Sequence, residues 1–328
     1  MYEWAEFRHF KYLLTILELQ GFRAASERLH TGQPNLSMQA KLFQEHASVR
    51  LYEKAKDGRI KPTESGVAFQ FIAKSLLDAR DEAFEALAAV ERGEITSVRL
   101  GCSPLADQAL FQEFCSMHKE LLPSCSIDPE RGDTLQLVDD VLTGVIDAAI
   151  VTLPVVNQAL KMEEIGRDRL VVCLRKDDPL TTKSVLQIMD LQKGLRILYH
   201  PQRHPDAHTR LLEMLGEVGV ELERYSRVSH PTEMQMLVKE GYGLALMREG
   251  SHLESELTTR PIAGVDWTVE TVVIYHAEQH PKTIPVLVRK LRRRLKKDGK
   301  LTSVAHRKSE STSINQRPVQ LALLSVKG

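Results

Sequence analysis

The 328-residue chain lacks several features that would place it in a protein class at once. Its formal net charge is zero, so any affinity for nucleic acid must come from local patches and not from an overall field. Its four cysteines form no C-x-x-C pair, which favours free thiols in a reducing compartment. No apolar run reaches the roughly 18 residues of a membrane span, and the N-terminus does not resemble a signal peptide. We therefore expect a cytoplasmic protein without a membrane partner.

Common catalytic and cofactor signatures are absent as well. The sequence contains no G-x-S-x-G, Walker or G-x-G-x-x-G motif. Three histidines spaced four apart would form a metal-ligand pattern on a continuous helix, but Pro201 and Pro205 argue against such a helix. Asp206 is instead predicted to cap a helix starting near Ala207. We expect no enzyme activity, no cofactor and no metal site. The three histidines are His200, His204 and His208.

Two amphipathic helices joined by a short break are predicted between residues 22 and 54. The methyl side chains of Ala24 and Ala25 suit two helices that cross steeply over a short turn. The helical spacing fits a helix-turn-helix and an ordinary helical hairpin equally well. The apolar residues at this spacing, on either side of the break at residues 30–32, are Ala24, Ala25, Leu29, Leu36, Ala40 and Phe43.

The second of these helices presents a polar face that suits the edges of DNA bases. It opens at Gly32 and has Pro34 in its first turn, where a missing N–H costs nothing. Amides, a hydroxyl and a cation can pair with base edges and phosphates in a major groove. The candidate DNA-binding residues of this helix are Gln33, Pro34, Asn35, Ser37, Met38 and Lys41.

Further elements are predicted on both sides of this pair. Residues 7–19 form a first helix, and residues 49–52 and 59–61 are extended segments around a charged turn, as in a winged helix. The cations of this wing, Lys54, Lys56 and Arg59, are candidates to contact DNA, although acidic neighbours also fit a solvated turn. A helix capped by Thr63 should follow over residues 63–92. Its wide apolar surface fits a second copy of the chain or the core of a single domain.

The rest of the chain predicts a different architecture. The length exceeds what one core usually supports, and from residue 97 short apolar strands alternate with helices, as in α/β folds with largely parallel sheets. A basic run at residues 291–297 ends the last helix, where it suits the helix macrodipole or could add non-specific DNA affinity. Beyond Asp298 the composition is typical of disordered segments.

A longer set of residues resembles, in order and spacing, the N-terminal signature of LysR-type transcriptional regulators. Two positions depart from it: Met38 stands where most members carry Arg, and Gly32 where most carry Ser or Thr. The missing Arg removes a bidentate guanine contact, which puts the operator preference in doubt. The residues that carry the resemblance are Phe22, Ala24, Ala25, Leu29, Gln33, Pro34, Leu36, Ser37, Gln39, Val49, Leu51, Tyr52, Pro62, Thr63 and Gly66.

The resemblance continues more loosely to about residue 295 and implies a fold. The expected architecture is an α-helical winged helix-turn-helix domain, a long linker helix for dimerisation and an α/β two-lobed periplasmic-binding-protein-like domain for an effector. The expected limits are residues 5–62 for the DNA-binding domain, 63–92 for the linker and 97–297 for the effector domain. Its first lobe would comprise residues 97–167 and 269–297, its second lobe 168–268, and residues 298–328 would be a disordered tail.

The resemblance also implies a ligand-responsive regulator that binds double-stranded DNA as a homodimer or homotetramer. Helix N-termini and hydroxyls beyond strand ends favour a small anionic effector, such as a carboxylate, between the lobes. Ser103, with Pro104 at a first helical position, is expected to cap a helix, a role that needs no ligand. Alternatives are an α/β binding protein or enzyme, and a DNA-binding protein whose C-terminal half only drives assembly. The candidate effector-binding residues are Ser103, Thr134, Thr152, Tyr199, His200, Pro201 and Thr232.

Overall fold

The computed structural model describes residues 3–55 and 59–299, which fall into two compact units. The first unit extends to Glu163 and adds Gln202–Asp206 and Val273–Arg289. The second comprises Glu164–Pro201, Ala207–Val272 and the described residues from Lys290 onward. The domain and lobe limits expected from the sequence stay a prediction.

The first unit begins with a winged helix-turn-helix. Three helices and an antiparallel two-stranded wing enclose a core that includes Leu13, Ile16, Leu36 and Phe43, all buried. Ala25 is buried in this core, whereas Ala24 is exposed, so only one of the two predicted alanines fills the helix crossing. The elements are α1 (Phe7–Leu19), α2 (Phe22–Arg28), α3 (Gln33–Ala47), β1 (Tyr52–Lys54) and β2 (Ile60–Pro62).

The wing begins later than the predicted residues 49–52 because α3 ends in a tight cap. Ser48 adopts a left-handed conformation at φ 52°, and the backbone N–H of Val49 donates to the carbonyl of Gln44. The Gln44 side chain then accepts from the backbone N–H of Leu51 at 2.7 Å. These bonds hold residues 48–51 against α3, so strand pairing starts at Tyr52.

A 28-residue helix, α4 (Glu64–Glu91), follows the wing. Thr63 caps it as predicted, because its hydroxyl accepts from the backbone N–H of Gly66. A Cβ at Gly66 would lie 1.9 Å from the carbonyl oxygen of Leu51, so the chain can pass there only as glycine. This contact fixes the start of α4 against the wing.

The first unit continues with parallel strands and helices in the strand order β4-β3-β5. Helix α5 begins four residues later than the predicted Pro104, since Asp107 is its N-cap and accepts from the N–H of Ala109. The elements are β3 (Ser97–Cys102), α5 (Gln108–Leu121), β4 (Ser126–Arg131), α6 (Thr134–Leu142) and β5 (Ala148–Thr152).

The second unit has the strand order β6-β9-β7-β8, with β10 antiparallel to β6. Strand β6 is far longer than the predicted residues 170–175, and it and β11 each carry residues of both units. Helix α8 starts at Pro205, so Asp206 lies in its first turn and does not cap it. The elements are β6 (Leu160–Arg175), α7 (Ile188–Gly194), β7 (Leu195–Tyr199), α8 (Pro205–Glu217), β8 (Ser226–Val228), α9 (Pro231–Lys239), β9 (Leu244–Arg248), β10 (Leu257–Arg260), β11 (Thr268–His276) and α10 (Thr283–Lys297).

The predicted fold class is confirmed: a winged helix-turn-helix, a long helix and an α/β region with a mixed sheet follow one another along the chain. Within residues 3–55 and 59–299, no helix combines the length and apolar character needed to cross a membrane.

Candidate DNA-binding and effector sites

Helix α3 turns a polar surface to solvent. Gln33, Pro34, Asn35 and Lys41 are exposed, Ser37 is half-buried, and Met38 is 53% exposed. The side-chain contacts found here are weak: Asn35 Nδ2 lies 3.5 Å from Thr31 Oγ1, and Lys41 Nζ lies 3.6 Å from a Glu45 oxygen. Donors and acceptors held this loosely can exchange protein partners for base edges at little cost.

The opposite face of α3 holds that surface in place. Leu36, Ala40 and Phe43 are buried in the helical core, and the Phe43 ring packs edge-on against Trp4 and Phe69 at 5.2 and 5.5 Å between centroids. A helix anchored by large aromatic contacts keeps its outer face rigid, as base recognition requires.

The wing presents two of its three candidate cations. Lys54 and Arg59 are exposed, and Lys54 Nζ lies 5.9 Å from the centre of the Phe22 ring. The backbone of Arg59 is tied to the other side of the turn, because its carbonyl accepts from the N–H of Ala55 at 2.9 Å. Lys56 lies outside the described residues. A cation placed over an aromatic ring is oriented without being neutralised.

Three predicted effector residues lie in the first unit, and all three are buried. Thr134 Oγ1 donates to Ser103 Oγ at 3.4 Å, so the structure brings these two hydroxyls together. Ser103 does not cap α5, contrary to the prediction. Its hydroxyl instead accepts from the backbone N–H of Leu105 at 3.3 Å, in a turn that precedes the helix. Thr134 is the first residue of α6, after the N-cap Asp133.

Two residues of this region, Arg203 and His204, were not among the predicted site residues. Arg203 forms an ion pair with Asp133, and the ring of His204 forms a 2.9 Å hydrogen bond through Nε2 with the carbonyl of Thr152. His204 is 4% exposed, and burial lowers the pKa of its imidazole. Its Nδ1 has no hydrogen-bond partner within residues 3–55 and 59–299. The signal that could have identified this loop is the charge of Arg203, two residues after the predicted effector residue Pro201.

The other four predicted effector residues lie in the second unit. Tyr199 ends β7, and burial raises the pKa of its phenol above the usual range. His200 follows, with its backbone N–H donating to the carbonyl of Val228 at 2.7 Å. Pro201 is half-buried, and Thr232 is exposed in the first turn of α9, where its hydroxyl lies 2.9 Å from Nδ1 of His230.

The remaining histidine of the metal-ligand pattern, His208, and the four cysteines are candidates for metal or redox chemistry that their contacts in the fold can test. His208 lies in α8 with Nε2 3.1 Å from the hydroxyl of Tyr225. The part of the chain that the structure describes contains no group of three or more His, Cys, Asp or Glu side chains arranged to hold a metal ion. The cysteines are free, and burial raises the pKa of Cys102 to about 11 and that of Cys173 to about 12. These two thiols therefore stay protonated and unreactive at neutral pH.

Comparison with known proteins gives matches along nearly the whole described chain. Residues 7–67 match the bacterial regulatory helix-turn-helix protein model of the lysR family, and residues 91–296 match the LysR substrate binding domain. The HTH-type transcriptional regulator AlsR of Bacillus subtilis is 25% identical over 280 residues, which are 84% of this chain and 91% of AlsR.

Two solved structures share the fold. Full-length BenM superposes with a TM-score of 0.55 at 22% identity, covering 90% of this chain and 98% of BenM. Full-length CbnR, solved in a complex with its target DNA, gives a TM-score of 0.52 at 20% identity and covers 88% of this chain and 99% of CbnR. The substrate-binding model alone matches well over half of the 328 residues. The chain belongs to the LysR family of bacterial transcriptional regulators, with an N-terminal helix-turn-helix and a C-terminal effector-binding domain.

Proposed function

We propose that this regulator reads its operator with α3 in the major groove and contacts the DNA backbone with its wing. The observation that carries the proposal is the exposed polar face of α3 above a rigid aromatic core. Gln33 and Asn35 can each pair with adenine through a side-chain amide, and Ser37 and Lys41 can bind bases or phosphates. Met38 can contact a thymine methyl group, where an arginine would select guanine. Lys54, Lys56 and Arg59 of the wing bind phosphates.

A band-shift titration with the DNA upstream of the protein's own gene tests this proposal. Gln33→Ala and Asn35→Ala should each weaken specific binding by about 1–3 kcal/mol, roughly 5- to 150-fold, because each removes a base contact. Gln112→Ala, an exposed glutamine of α5, is the matched control and should bind like the parent. Equal binding by all four proteins would reject α3 as the reading element.

The effector site is proposed to take a small anion that carries a carboxylate. Support comes from the hydroxyl of Ser103, which is paired with that of Thr134. Thr134 is the first residue of α6, where free backbone N–H groups favour negative charge. Arg203 lies in the same unit, on Asp133, and its guanidinium can bind a carboxylate in a bidentate manner. Thr152, Tyr199, His200, Pro201 and Thr232 complete the proposed set.

The active form is proposed to be a homodimer or a homotetramer that assembles through α4. Large apolar side chains stand exposed along this helix in the single chain, as expected of a surface that a second copy covers. Two recognition helices related by two-fold symmetry would read a two-fold operator. The exposed side chains are Val67, Phe71, Ile72, Leu76, Phe84, Leu87 and Val90.

Two other functions can be separated from this proposal. The proposal assigns only ligand binding to the α/β region, so catalytic turnover by that region would indicate an enzyme instead. The absence of any ligand-induced rise in melting temperature would favour a C-terminal half that serves assembly only. Because a DNA-binding regulator must reach the chromosome, the proposal places the protein in the cytoplasm.

A further inference from the structure

The last helix, α10, carries a concentration of positive charge that neither the α3 interface nor the effector site uses. Residues 290–297 contain six lysines or arginines and no acidic residue. The formal charge of the whole chain is zero, so the other 320 residues carry an excess of six acidic side chains. So local an excess in a neutral chain is the electrostatic signature of a surface that binds a polyanion.

The cations are arranged as a stripe that faces solvent. One side of α10 is buried through Ile284, Leu287, Val288, Leu291 and Leu295, which follow helical spacing. Lys290, Arg293 and Lys297 repeat at intervals of three and four residues on the opposite side and span about 10 Å along the axis. We call the exposed set of Lys290, Arg293, Arg294, Lys296 and Lys297 the basic stripe.

The helix macrodipole accounts for only part of this stripe. It stabilises cations in the last turn, where Arg294, Lys296 and Lys297 lie, and its effect fades beyond that turn. Lys290 and Arg293 lie further back. Like charges three and four residues apart also destabilise a helix by about 0.2–0.5 kcal/mol per pair. A polyanion bound along the stripe would lower this repulsion.

We propose that the basic stripe binds the phosphate backbone of duplex DNA outside the groove read by α3. This inference rests on the proposed DNA-binding function and adds a second contact surface to it. Ammonium and guanidinium groups bind phosphates with release of condensed counterions, and they need no base sequence to do so. An anionic membrane fits less well, because a membrane-surface helix needs a free apolar face and that of α10 is buried in the protein.

The test measures the salt dependence of binding to a labelled 40-bp duplex of arbitrary sequence, by fluorescence anisotropy of the full chain. The variant Arg293→Gln/Lys296→Gln/Lys297→Gln removes three charges from the stripe. The control, Lys119→Gln/Lys161→Gln/Lys176→Gln, removes three exposed lysines elsewhere. Each lost phosphate contact should flatten the slope of log K against log[salt] by about 0.9, so the stripe variant should lose about two to three units of slope. Its affinity at about 100 mM salt should fall at least tenfold, and the control should stay within about twofold.

A single variant, Arg293→Gln, guards against loss of helix stability, because Arg293 precedes the last turn. It should lose about 0.9 units of slope, and Arg293→Lys should restore them. Equal slopes for stripe variant, control and parent would overturn the proposal, as would a slope effect that Arg293→Lys fails to rescue. Binding of the stripe to phosphatidylserine vesicles without an effect on DNA would overturn it in favour of a membrane. The proposed α3 function fails separately, if Gln33→Ala and Asn35→Ala leave specific binding unchanged.

Discussion

At the scale of single residues, Gly66 decides whether the wing and α4 can meet. A Cβ there would lie 1.9 Å from the carbonyl oxygen of Leu51 and 3.4 Å from Cβ of Pro62, and a backbone atom cannot swing away as a flexible side chain can. Gly66→Ala should therefore lower the unfolding free energy of the N-terminal region by about 3 kcal/mol or more and abolish operator binding. Urea denaturation followed by tryptophan fluorescence measures this in a Trp267→Phe background, which leaves Trp4 as the reporter. Gly216→Ala in α8, where a Cβ meets no atom within 4 Å, is the control and should be neutral or slightly stabilising. A stable, DNA-binding Gly66→Ala protein would contradict the contact.

His118 predicts how stability depends on pH. Its side chain in α5 is 0% exposed, neither ring nitrogen has a hydrogen-bond partner within residues 3–55 and 59–299, and burial lowers its pKa. A histidine with a lowered pKa in the folded state binds its proton first in the unfolded state. The contribution of His118 to the unfolding free energy is therefore fully present above the unfolded pKa of about 6.5. It is lost as pH falls from there through the lower pKa of the folded state, by up to about 1.4 kcal/mol per pH unit.

His118→Leu should remove both the unpaired polar atoms and this pH dependence. We expect the variant to gain about 1–2 kcal/mol of unfolding free energy at pH 7.5 and more at pH 5.5, because leucine has a similar volume and no proton to bind. Urea titrations at the two pH values measure the difference. His252→Leu, at an exposed histidine, should change neither value appreciably. A parallel loss of stability by parent and His118→Leu between these pH values would show that other groups cause the acid sensitivity.

At the scale of elements, the exposed apolar side of α4 predicts how a substitution there changes the strength of self-association. Phe71 is 77% exposed in the single chain, which is costly for an aromatic side chain unless a partner covers it. Phe71→Glu would place a charge in such an interface and should weaken self-association at least 100-fold. Sedimentation velocity over a concentration series measures this. Val156→Glu changes a side chain that is 90% exposed in a loop and should leave the association unchanged. A Phe71→Glu protein that associates like the parent would move the interface elsewhere.

The elements also separate what local sequence can predict from what it cannot. Helix α1 begins and ends at the predicted residues, and α4 differs by one residue at each end, because amphipathic spacing and the Thr63 cap are local signals. The first ten residues of β6 gave no such signal, since Glu163, Glu164 and Arg167 interrupt the apolar pattern. That part of the strand is stabilised by its neighbour β11, where Glu270 lies 3.3 Å from Arg167.

The positions of the candidate site residues were also predictable only where the sequence signal is local. Helical periodicity predicts the polar face of α3, and the structure exposes all of its predicted residues except Ser37, which is half-buried. The prediction that Ser103 caps a helix was wrong because Ser-Pro can also open a turn, and the cap is Asp107, four residues further on. Arg203 and His204 were missed because their contacts with Asp133 and Thr152 join residues about 50 to 70 positions apart, which no local pattern records.

At the scale of the whole molecule, a ligand can change DNA binding only through a difference in its affinity for two arrangements of the protein. The Arg203–Asp133 ion pair is a contact that such a ligand can exploit. Both side chains are partly exposed, so breaking the pair costs about 1 kcal/mol or less. A ligand carboxylate near Ser103 and Thr134 would compete with Asp133 for the guanidinium and would be repelled by the Asp133 charge.

This competition gives opposite predictions for the two partners of the pair. Asp133→Asn should raise the affinity for small carboxylates, and Arg203→Gln should lower it about 10- to 100-fold, because a charge-assisted bidentate contact is worth about 1.5–3 kcal/mol. Thermal shifts with acetate, succinate and benzoate, set against their amides, measure the affinities. Arg210→Gln, another exposed arginine in an ion pair, is the control and should bind like the parent. Equal stabilisation by acids and amides would remove Arg203 from anion recognition, since an uncharged amide gains nothing from the guanidinium charge. In band shifts, the acid that binds best should change operator binding by the parent and by Asp133→Asn at a lower concentration, but by Arg203→Gln only at a higher one.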